Sequence, residues 1–428
     1  MSRFSPEEVF TPRSAKVNMK MYVHRPKLES RLKNGIRSPY HLLIHGESGC
    51  GKTWLYKSVL NEANVYFYAA NMANVARHKS LEKEILNILG RLNPKFQTSS
   101  YEKKSASGGV SSTKAELSHE KEFKNRPIDS YELLLEELSK KAKSKKGCLI
   151  LDNFEAILKD NDLIEQAANL VILLDDDAYA DKNIKLLLVG VPSNMREYFS
   201  SLPNASTVSN RILEIPEVER LSPDQSARLF KRGFDFLGYK IDLTDGEIRH
   251  ICWLTDCVPQ QLHALCLQIA FHAQENGGIV NLESLDDGVE SWLETSMLGY
   301  YSACEAAMNS KETKAGRRNQ TLFALSRCEK EDFRYSDIEK IVRDNFADST
   351  ESKQLNISQI LSSIAALPTP IIRKTAKGDE YRFTDNRYRI VLRAMESLKN
   401  PAFCDNTVIR AARSPFHGPD QLCRGRIC

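Results

Sequence analysis

The segment Gly46-Glu47-Ser48-Gly49-Cys50-Gly51-Lys52-Thr53 constrains the fold of this chain more than any other feature. It follows the apolar run His41 to His45, and a helical pattern extends from Lys52 to Leu60. A buried strand, a glycine-rich loop and a helix in this order form a unit in which backbone N–H groups and the start of the helix surround a phosphate. The sequence therefore predicts a parallel sheet with a phosphate-binding loop at its edge.

The residue types in this loop each suit a part of a nucleoside triphosphate. The glycines let N–H groups turn inward, Lys52 is placed to bridge the β- and γ-phosphates, and the Thr53 hydroxyl is placed to ligate Mg²⁺. We expect ATP and Mg²⁺ as ligands, and the loop residues Gly46, Glu47, Ser48, Gly49, Cys50, Gly51, Lys52, Thr53 and Trp54 as the nucleotide contacts. For Cys50 two interpretations stay open: a small neutral filler, or a redox-sensitive thiol beside a cation.

Further strands and helices alternate along the same part of the chain. Short apolar runs predict buried strands at Val65 to Ala69, Cys148 to Leu151, Lys185 to Gly190 and Ile212 to Ile215. Helical periodicity between them covers Ser80 to Leu92, Asp129 to Lys141 and Leu163 to Leu174. This alternation is typical of an α/β doubly wound sheet. We predict such a core over residues 21–216, after an N-terminal tail over residues 1–20.

A polar segment interrupts the core over residues 97–126. It is rich in Ser, Lys and Glu, and it has too few large apolar residues to bury. We expect a flexible insertion, either a dispensable loop or a segment that docks a partner.

Carboxylates complete the predicted magnesium site. Asp152 ends the apolar run Cys148 to Leu151, where a buried strand would hold it near the metal. Many related ATPases have a glutamate directly after this aspartate, but Asn153 stands there. We assign activation of the attacking water to Glu155, with a helix-start acid as the alternative.

Three other residues are weaker site candidates. Ser193 and Asn194 follow the fourth strand at the phosphate edge of the sheet and could sense the γ-phosphate, although an ordinary turn with Asn194 as a helix cap fits equally. Arg211 precedes the fifth strand and is our candidate for an arginine finger, with a plain surface arginine as the alternative.

Two more regions follow the core. Residues 217–310 carry helical patterns at Asp224 to Leu237, Asp245 to Leu254 and Pro259 to Glu275, which predict an all-helical lid. Residues 311–399 carry helical patterns at Asn319 to Ser326, Tyr335 to Asn345 and Ile357 to Ala366, and then a hairpin across Gly378. Three helices and a hairpin predict a winged helix. Residues 400–428 show no periodicity, and we expect a C-terminal tail.

With these motifs in order, the chain from about Met21 to Met395 resembles the AAA+ ATPases of the origin-recognition and transposon-helper type. Tyr22-Val23-His24-Arg25 resembles the segment that packs on the adenine in that family. Thr255-Asp256-Cys257-Val258-Pro259-Gln260 resembles its Gly-x-Pro-Arg stretch, but Cys257 replaces the glycine and Gln260 replaces the sensor arginine. The wording Leu151-Asp152-Asn153-Phe154-Glu155 is closer to the STAND signalling ATPases. The resemblance implies a P-loop AAA+ core, a helical lid and a C-terminal winged helix.

The resemblance leaves the role of the winged helix open between DNA and protein. For DNA we count the basic residues Arg373, Lys374, Lys377, Arg382, Arg387, Arg389 and Arg393. Against it we count the acidic residues Glu329, Glu331, Asp332, Asp337, Glu339 and Asp344, which would repel phosphates.

Composition narrows the remaining choices. No apolar run has the length of a membrane span, and Met1 to Tyr22 does not resemble a signal peptide, so we expect a cytoplasmic protein. The 10 cysteines form no Cys-x-x-Cys pair and are expected to be reduced. The leading hypothesis is an ATP-driven switch that oligomerises and acts on DNA. The alternatives are a signalling ATPase that gates a separately encoded effector, and an ATP-binding scaffold.

Overall fold

The computed structural model describes residues 4–94, 96, 129–191, 205–309 and 316–398. These residues form two compact units: Arg13–Leu221, and the residues up to Pro12 together with those from Ser222 onward. The predicted insertion over residues 97–126, the tail over residues 400–428, and Ser193 and Asn194 lie outside the described residues.

A five-stranded parallel sheet forms the centre of the unit Arg13–Leu221. Its strands are β1 (His41–His45), β2 (Tyr66–Asn71), β3 (Gly147–Asp152), β4 (Ile184–Val191) and β5 (Ile212–Ile215). They pair in the order β2-β3-β4-β1-β5. The prediction of an α/β parallel sheet is confirmed, and every predicted strand is present with its ends shifted by no more than a residue or two.

Side-chain alternation along the strands divides the core between the two faces of this sheet. On β3, Leu149 and Leu151 pack with one set of helices, whereas Cys148 and Ile150 pack with the other. The helices of this unit are Pro26–Arg37, Lys52–Glu62, Met72–His78, Leu81–Leu92, Ser130–Ala142, Asn161–Leu173, Asp177–Ala180 and Ala205–Ser209, with a 3₁₀ turn at Phe154–Ile157. Both faces are covered, which explains why the strands are apolar runs.

The second unit is mainly helical. Its helices are Pro6–Val9, Pro223–Leu237, Asp245–Leu254, Pro259–Glu275, Leu282–Ser296, Leu298–Ala306, Arg317–Arg327, Tyr335–Asn345, Ala347–Thr350, Ile357–Ala365 and Arg387–Leu398. The segment predicted as an all-helical lid also contains two short parallel strands, β6 (Lys240–Ile241) and β7 (Ile279–Val280). Strands of two residues are too short to show an alternating pattern, so the sequence does not reveal them.

The N-terminal residues contribute to this second unit, although we expected a tail over residues 1–20. The phenyl ring of Phe10 is fully buried, with its centroid 5.1 Å from that of Phe234. The Thr11 backbone N–H donates to His263 Nδ1 at 3.2 Å. Burial of Phe10 against Phe234 holds this segment in place, although its sequence shows no helical or strand periodicity.

The region predicted as a winged helix contains the expected elements in the expected order. The helices Arg317–Arg327, Tyr335–Asn345 and Ile357–Ala365 precede an antiparallel hairpin of β8 (Ile372–Lys374) and β9 (Tyr381–Phe383). This region also contains helices that were not predicted, the short Ala347–Thr350 before the hairpin and Arg387–Leu398 after it. The assignment to the winged-helix class, and its boundary at residue 311, stay predictions.

Two of the arginines that we counted toward DNA contact are buried in the second unit, so that part of the interpretation is wrong. Arg389 and Arg393 are only 2% and 1% exposed in their side chains, and both donate to the Asp256 carboxylate, at 2.5 and 2.9 Å. Asn386 Nδ2 donates to the same carboxylate at 2.8 Å, and the Arg393 guanidinium lies 4.6 Å from the centre of the Trp253 ring. We call Asp256, Arg389 and Arg393 the buried ion cluster.

Two other arginines of that group are held by neighbouring carboxylates. Arg382 donates to both oxygens of Asp332, at 2.6 and 2.8 Å, and Arg387 donates to Asp385 at 2.9 Å. Several of the acidic residues counted against DNA are also in ion pairs, namely Glu329 with Arg393, Asp337 with Lys330, and Glu339 with Arg343. The basic residues that remain exposed on the hairpin are Arg373, Lys374 and Lys377, of which Lys377 is in an ion pair with Glu380 at 3.2 Å.

The buried ion cluster predicts a strong dependence of stability on Asp256. Asparagine has nearly the same shape and tolerates the positive φ of 53° at this position, so Asp256→Asn removes the charge with little change in the backbone. Arg389 and Arg393 would then lose the buried carboxylate that they share, and Arg393 would keep only the largely exposed Glu329. We expect a loss of about 3 kcal/mol or more in the free energy of unfolding. Urea denaturation followed by tryptophan fluorescence measures it, because Trp253 and Trp292 both lie in this unit.

Asp245→Asn is the matched control, because Asp245 pairs with Lys231 on the surface, where both side chains are exposed. Its urea midpoint is expected to stay close to that of the wild type. An Asp256→Asn midpoint equal to that of the control would contradict a structural role for the buried ion cluster.

Candidate nucleotide site

The loop after β1 depends on glycine conformations. Gly46, Gly49 and Gly51 have φ values of 136°, 85° and 94°, which disfavour any residue with a Cβ atom. At Gly46 space is limiting as well, since a Cβ atom would lie 2.6 Å from the Val218 carbonyl oxygen. The chain after β5 closes on the loop here, and the Val218 N–H donates to the His45 carbonyl at 3.0 Å.

The helix that follows the loop leaves its first N–H groups available. It begins at Lys52 after Gly51, which provides no side-chain cap, and the Leu55 N–H donates to the Gly51 carbonyl at 2.9 Å. The N–H groups of Lys52 and Thr53 precede that bond, and the i to i−4 pattern of the helix gives them no acceptor. These donors and the helix dipole favour an anion at this position.

Lys52 lies among acceptors at the same place. Its ammonium donates to the carbonyl oxygens of Gly46 at 2.8 Å and Glu47 at 2.9 Å. Burial lowers the pKa of the Lys52 ammonium, and the negative charges of Glu155, Asp152 and Glu47 act against that shift. A phosphate group would offer this cation a charged acceptor in place of neutral carbonyls.

Two arginines fix the loop from outside. Arg25, in the segment that we compared with the adenine-packing region, donates to the carbonyl oxygens of Cys50 at 2.8 Å and Glu219 at 2.7 Å. Arg220 donates to the Glu47 carboxylate at 2.7 Å. Burial raises the pKa of the Cys50 thiol to about 12, so the thiol stays protonated and the structure favours a neutral filler over a redox-sensitive group.

A tyrosine that the sequence analysis missed connects the helix after the loop to Asp152 by a hydrogen bond. The Tyr56 hydroxyl donates to Asp152 Oδ2 at 2.9 Å, and the Asn153 N–H donates to Oδ1 at 2.9 Å. Burial and the neighbouring Asp152 charge raise the pKa of the Tyr56 phenol. The sequence does contain a signal: Tyr56 lies four residues after Lys52, and residues at that spacing share one face of a helix.

Glu155 reaches the same edge of the sheet from the turn after β3. Asn153 takes a left-handed conformation with φ of 57°, and the 3₁₀ turn Phe154–Ile157 carries Glu155 towards the end of β4. A Cβ atom at Gly190 would lie 2.1 Å from Glu155 Oε2, so only glycine leaves room for this carboxylate. Burial of the carboxyl end, reinforced by the Asp152 charge, raises the pKa of Glu155, and the charge of Lys52 opposes this rise.

Arg211 lies at the opposite end of the strands from the loop, where β1 begins. Its carbonyl accepts from the N–H of His41, the first residue of β1, whereas Gly46 follows the last residue of that strand. The Arg211 Nε atom lies 2.5 Å from Asp175 Oδ2, and its Nη1 atom donates to the Thr207 carbonyl at 2.9 Å. This engagement does not favour the arginine-finger role, which stays a prediction.

Trp54 and Thr53 complete the predicted contacts. The Trp54 indole N–H donates to the Ser14 carbonyl at 3.1 Å, so its side chain is directed at the N-terminal segment of this unit. Thr53 is half-buried in the first turn of the helix. The roles predicted for Ser193 and Asn194 lie outside the described residues.

These residues fit a nucleoside triphosphate with Mg²⁺. Uncapped N–H donors and a buried ammonium suit phosphates, and the oxygen ligands that Mg²⁺ prefers are available from Thr53 and Asp152.

In the part of the chain that the structure describes, no helix is both long and apolar enough to cross a membrane.

Comparisons with known proteins bear on the domain that carries these residues. Residues 36–199 match the model of a family described as an AAA domain. A search of curated proteins gave no match. Among solved structures, the Walker-type ATPase PABY2304 of Pyrococcus abyssi is 18% identical, with a TM-score of 0.50, over 90% of this chain and 99% of that one.

Two further structures are similar at lower scores. The ORC2 protein of Aeropyrum pernix, solved as ADPNP-ADP complexes, is 13% identical over 91% of this chain and 98% of that one, with a TM-score of 0.47. Cdc6p of Pyrobaculum aerophilum is 14% identical over 92% of this chain and 99% of that one, with a TM-score of 0.43. Residues 36–199 thus match an AAA domain, in the part of the chain that carries the five-stranded parallel sheet.

Proposed function

We propose that this chain is an ATP-hydrolysing AAA+ switch that binds ATP with Mg²⁺ at the loop Gly46 to Thr53. The observation that carries the proposal is the meeting of Lys52, Asp152 and Glu155 at one edge of the sheet, where the carboxylate charges act on the Lys52 ammonium and the charges of Lys52 and Asp152 act on the Glu155 carboxyl. A cation for phosphates, a carboxylate for metal and a carboxylate of raised pKa are the groups that hydrolysis of a phosphoanhydride needs.

Each group has a distinct part in the reaction. Lys52 holds the β- and γ-phosphates, and Thr53 with Asp152 would hold Mg²⁺, which neutralises the phosphate charge. Glu155 orients the attacking water and accepts its proton. The raised pKa of Glu155 makes it a stronger base in its ionised form, and activity is expected to fall as the pH decreases through that pKa because the protonated carboxyl cannot accept a proton.

We further propose that the protein oligomerises with ATP and acts on duplex DNA, in replication, transposition or mobile-element defence. Support comes from the hairpin, where Arg373, Lys374 and Lys377 are exposed. Arg373 and Lys374 lie on β8. Lys377 lies in the turn that follows, where its ammonium is 3.2 Å from the Glu380 carboxylate, so Arg373 and Lys374 carry most of this support. A segment with such charges gains affinity from backbone phosphates without reading sequence.

A signalling role is the second candidate, with the C-terminal region binding a protein partner and the ATP state gating a separately encoded effector. The observation that favours it is the helix before the hairpin. Ile357–Ala365 contains no Lys or Arg, and its exposed residues Ser358, Gln359 and Ser363 are uncharged. A helix with this composition lacks the charge that usually accompanies DNA contact.

Lys52→Ala tests the nucleotide site. We expect it to abolish ATP binding, because it removes the ammonium that donates to the loop carbonyls and that we assign to the β- and γ-phosphates. Lys57→Ala is the control: it removes a lysine from the same helix whose ammonium donates to the Ala15 carbonyl. Titration of fluorescent ATP into each protein, with circular dichroism to verify folding, measures the affinities. Equal affinities of Lys52→Ala and the control would rule out the proposed site.

Neutralising the hairpin tests the DNA proposal. The triple variant Arg373→Gln, Lys374→Gln, Lys377→Gln should weaken binding to duplexes of any sequence and reduce the slope of log affinity against log salt by about one unit per lost phosphate contact. Fluorescence anisotropy at several salt concentrations, with ATP present, measures both.

The control changes the same net charge elsewhere, with Lys140, Lys141 and Lys145, all exposed in the other unit, replaced by glutamine. It should bind DNA as the wild type does. Identical curves for the hairpin variant and this control, or no DNA binding by the wild type, would overturn the DNA proposal and favour the signalling candidate.

A further inference from the structure

We propose that Tyr56 is a positioning residue for the magnesium site: its hydroxyl fixes the Asp152 carboxylate in the orientation that receives the metal. This inference rests on the proposed ATPase function and adds to it a group that neither phosphate nor metal touches. It is carried by one direct bond, from Tyr56 Oη to Asp152 Oδ2 at 2.9 Å, between the helix after the loop and the end of β3.

The position of Tyr56 follows from helix geometry. Lys52, Thr53 and Tyr56 occupy positions i, i+1 and i+4 of the helix Lys52–Glu62. Side chains three and four residues apart lie on the same face, so Tyr56 is one turn below both Thr53 and Lys52. The helix therefore supplies a phosphate ligand, a metal ligand and a donor to Asp152 from a single face.

The surroundings of Tyr56 leave its hydroxyl little freedom. The side chain is fully buried, and its ring meets the Phe67 ring edge to face with centroids 6.4 Å apart. A phenol is a donor at neutral pH, and an ionised carboxylate can only accept. The bond consequently has one direction, from Tyr56 to Asp152.

The second oxygen of Asp152 is also held. The Asn153 N–H donates to Oδ1 at 2.9 Å, so separate elements constrain the two oxygens of one carboxylate. Each carboxylate oxygen has two lone pairs and keeps one for the metal or its water. Removing the Tyr56 bond would leave the carboxylate held by the Asn153 N–H alone, with more freedom about its side-chain torsions, and Mg²⁺ binding would have to restore the lost order.

Tyr56→Phe isolates this bond, because phenylalanine keeps the ring and its contact with Phe67. ATP affinity is measured by titration of fluorescent ATP at increasing Mg²⁺ and in EDTA. We expect unchanged affinity in EDTA, and an increase of about 10- to 100-fold in the Mg²⁺ concentration needed for half of the metal-dependent gain. Tyr179→Phe is the matched control, since Tyr179 donates to Asp129 at 2.6 Å in the same unit. It should behave as the wild type.

A double-mutant cycle with Asp152→Asn separates positioning from general packing. In the Asp152→Asn background, Tyr56→Phe should have no further effect on the Mg²⁺ dependence, because the carboxylate that it positions is absent. An equal effect in both backgrounds, or an equal loss of affinity in EDTA and in Mg²⁺, would overturn the proposal and assign Tyr56 to packing.

The outcomes for the wild type keep the two proposals apart. If the wild type binds ATP with a clear Mg²⁺ dependence and Tyr56→Phe matches it, the positioning role is wrong and the ATPase proposal stands. If the wild type binds no ATP, or binds it without any response to Mg²⁺, the proposed function itself fails.

Discussion

Parallel pairing of β1, β4 and β3 is the constraint on which the site depends. Strands of one direction end at one edge, so the loop after β1 and the acidic turn after β3 meet there, although Gly46 and Asp152 are far apart in sequence. Between them, Gly190 lies one residue before the end of β4, and its missing side chain leaves the space for Glu155. The strand order brings the loop and the acidic turn close together, and the glycines leave room for the neighbouring groups because they have no side chain.

Electrostatic balance keeps this edge stable without a ligand. A buried ammonium requires acceptors, and the Lys52 cation has two loop carbonyls at hydrogen-bond distance and carboxylates nearby. Arg25 holds the Cys50 carbonyl from outside and restrains the loop further. Phosphate binding would therefore exchange acceptors around a preformed loop, which avoids the cost of ordering it.

The sequence predicts the sheet well because buried parallel strands are short apolar runs. It predicts the position of Asp152 at the end of a strand because a carboxylate follows such a run. It does not predict which distant residues meet. Arg389 and Arg393 belong to a basic stretch that suggests a surface, yet both are buried and pair with Asp256, which lies in another part of the chain. The Tyr56 bond likewise depends on the juxtaposition of β3 with a helix far away in sequence. Spacing within the helix indicates only the face on which Tyr56 lies.

Release of phosphate from ATP, by the full chain and by Glu155→Gln, tests the central claim most directly. Glutamine keeps the size and the position beside Gly190 but cannot accept a proton. The account predicts Mg²⁺-dependent turnover by the wild type, and turnover at least about tenfold slower by a Glu155→Gln protein that still binds ATP. Equal turnover rates of the wild type and Glu155→Gln would contradict the role of Glu155 in activating the attacking water. ATP binding with no turnover by the wild type would contradict hydrolysis and leave an ATP-binding scaffold.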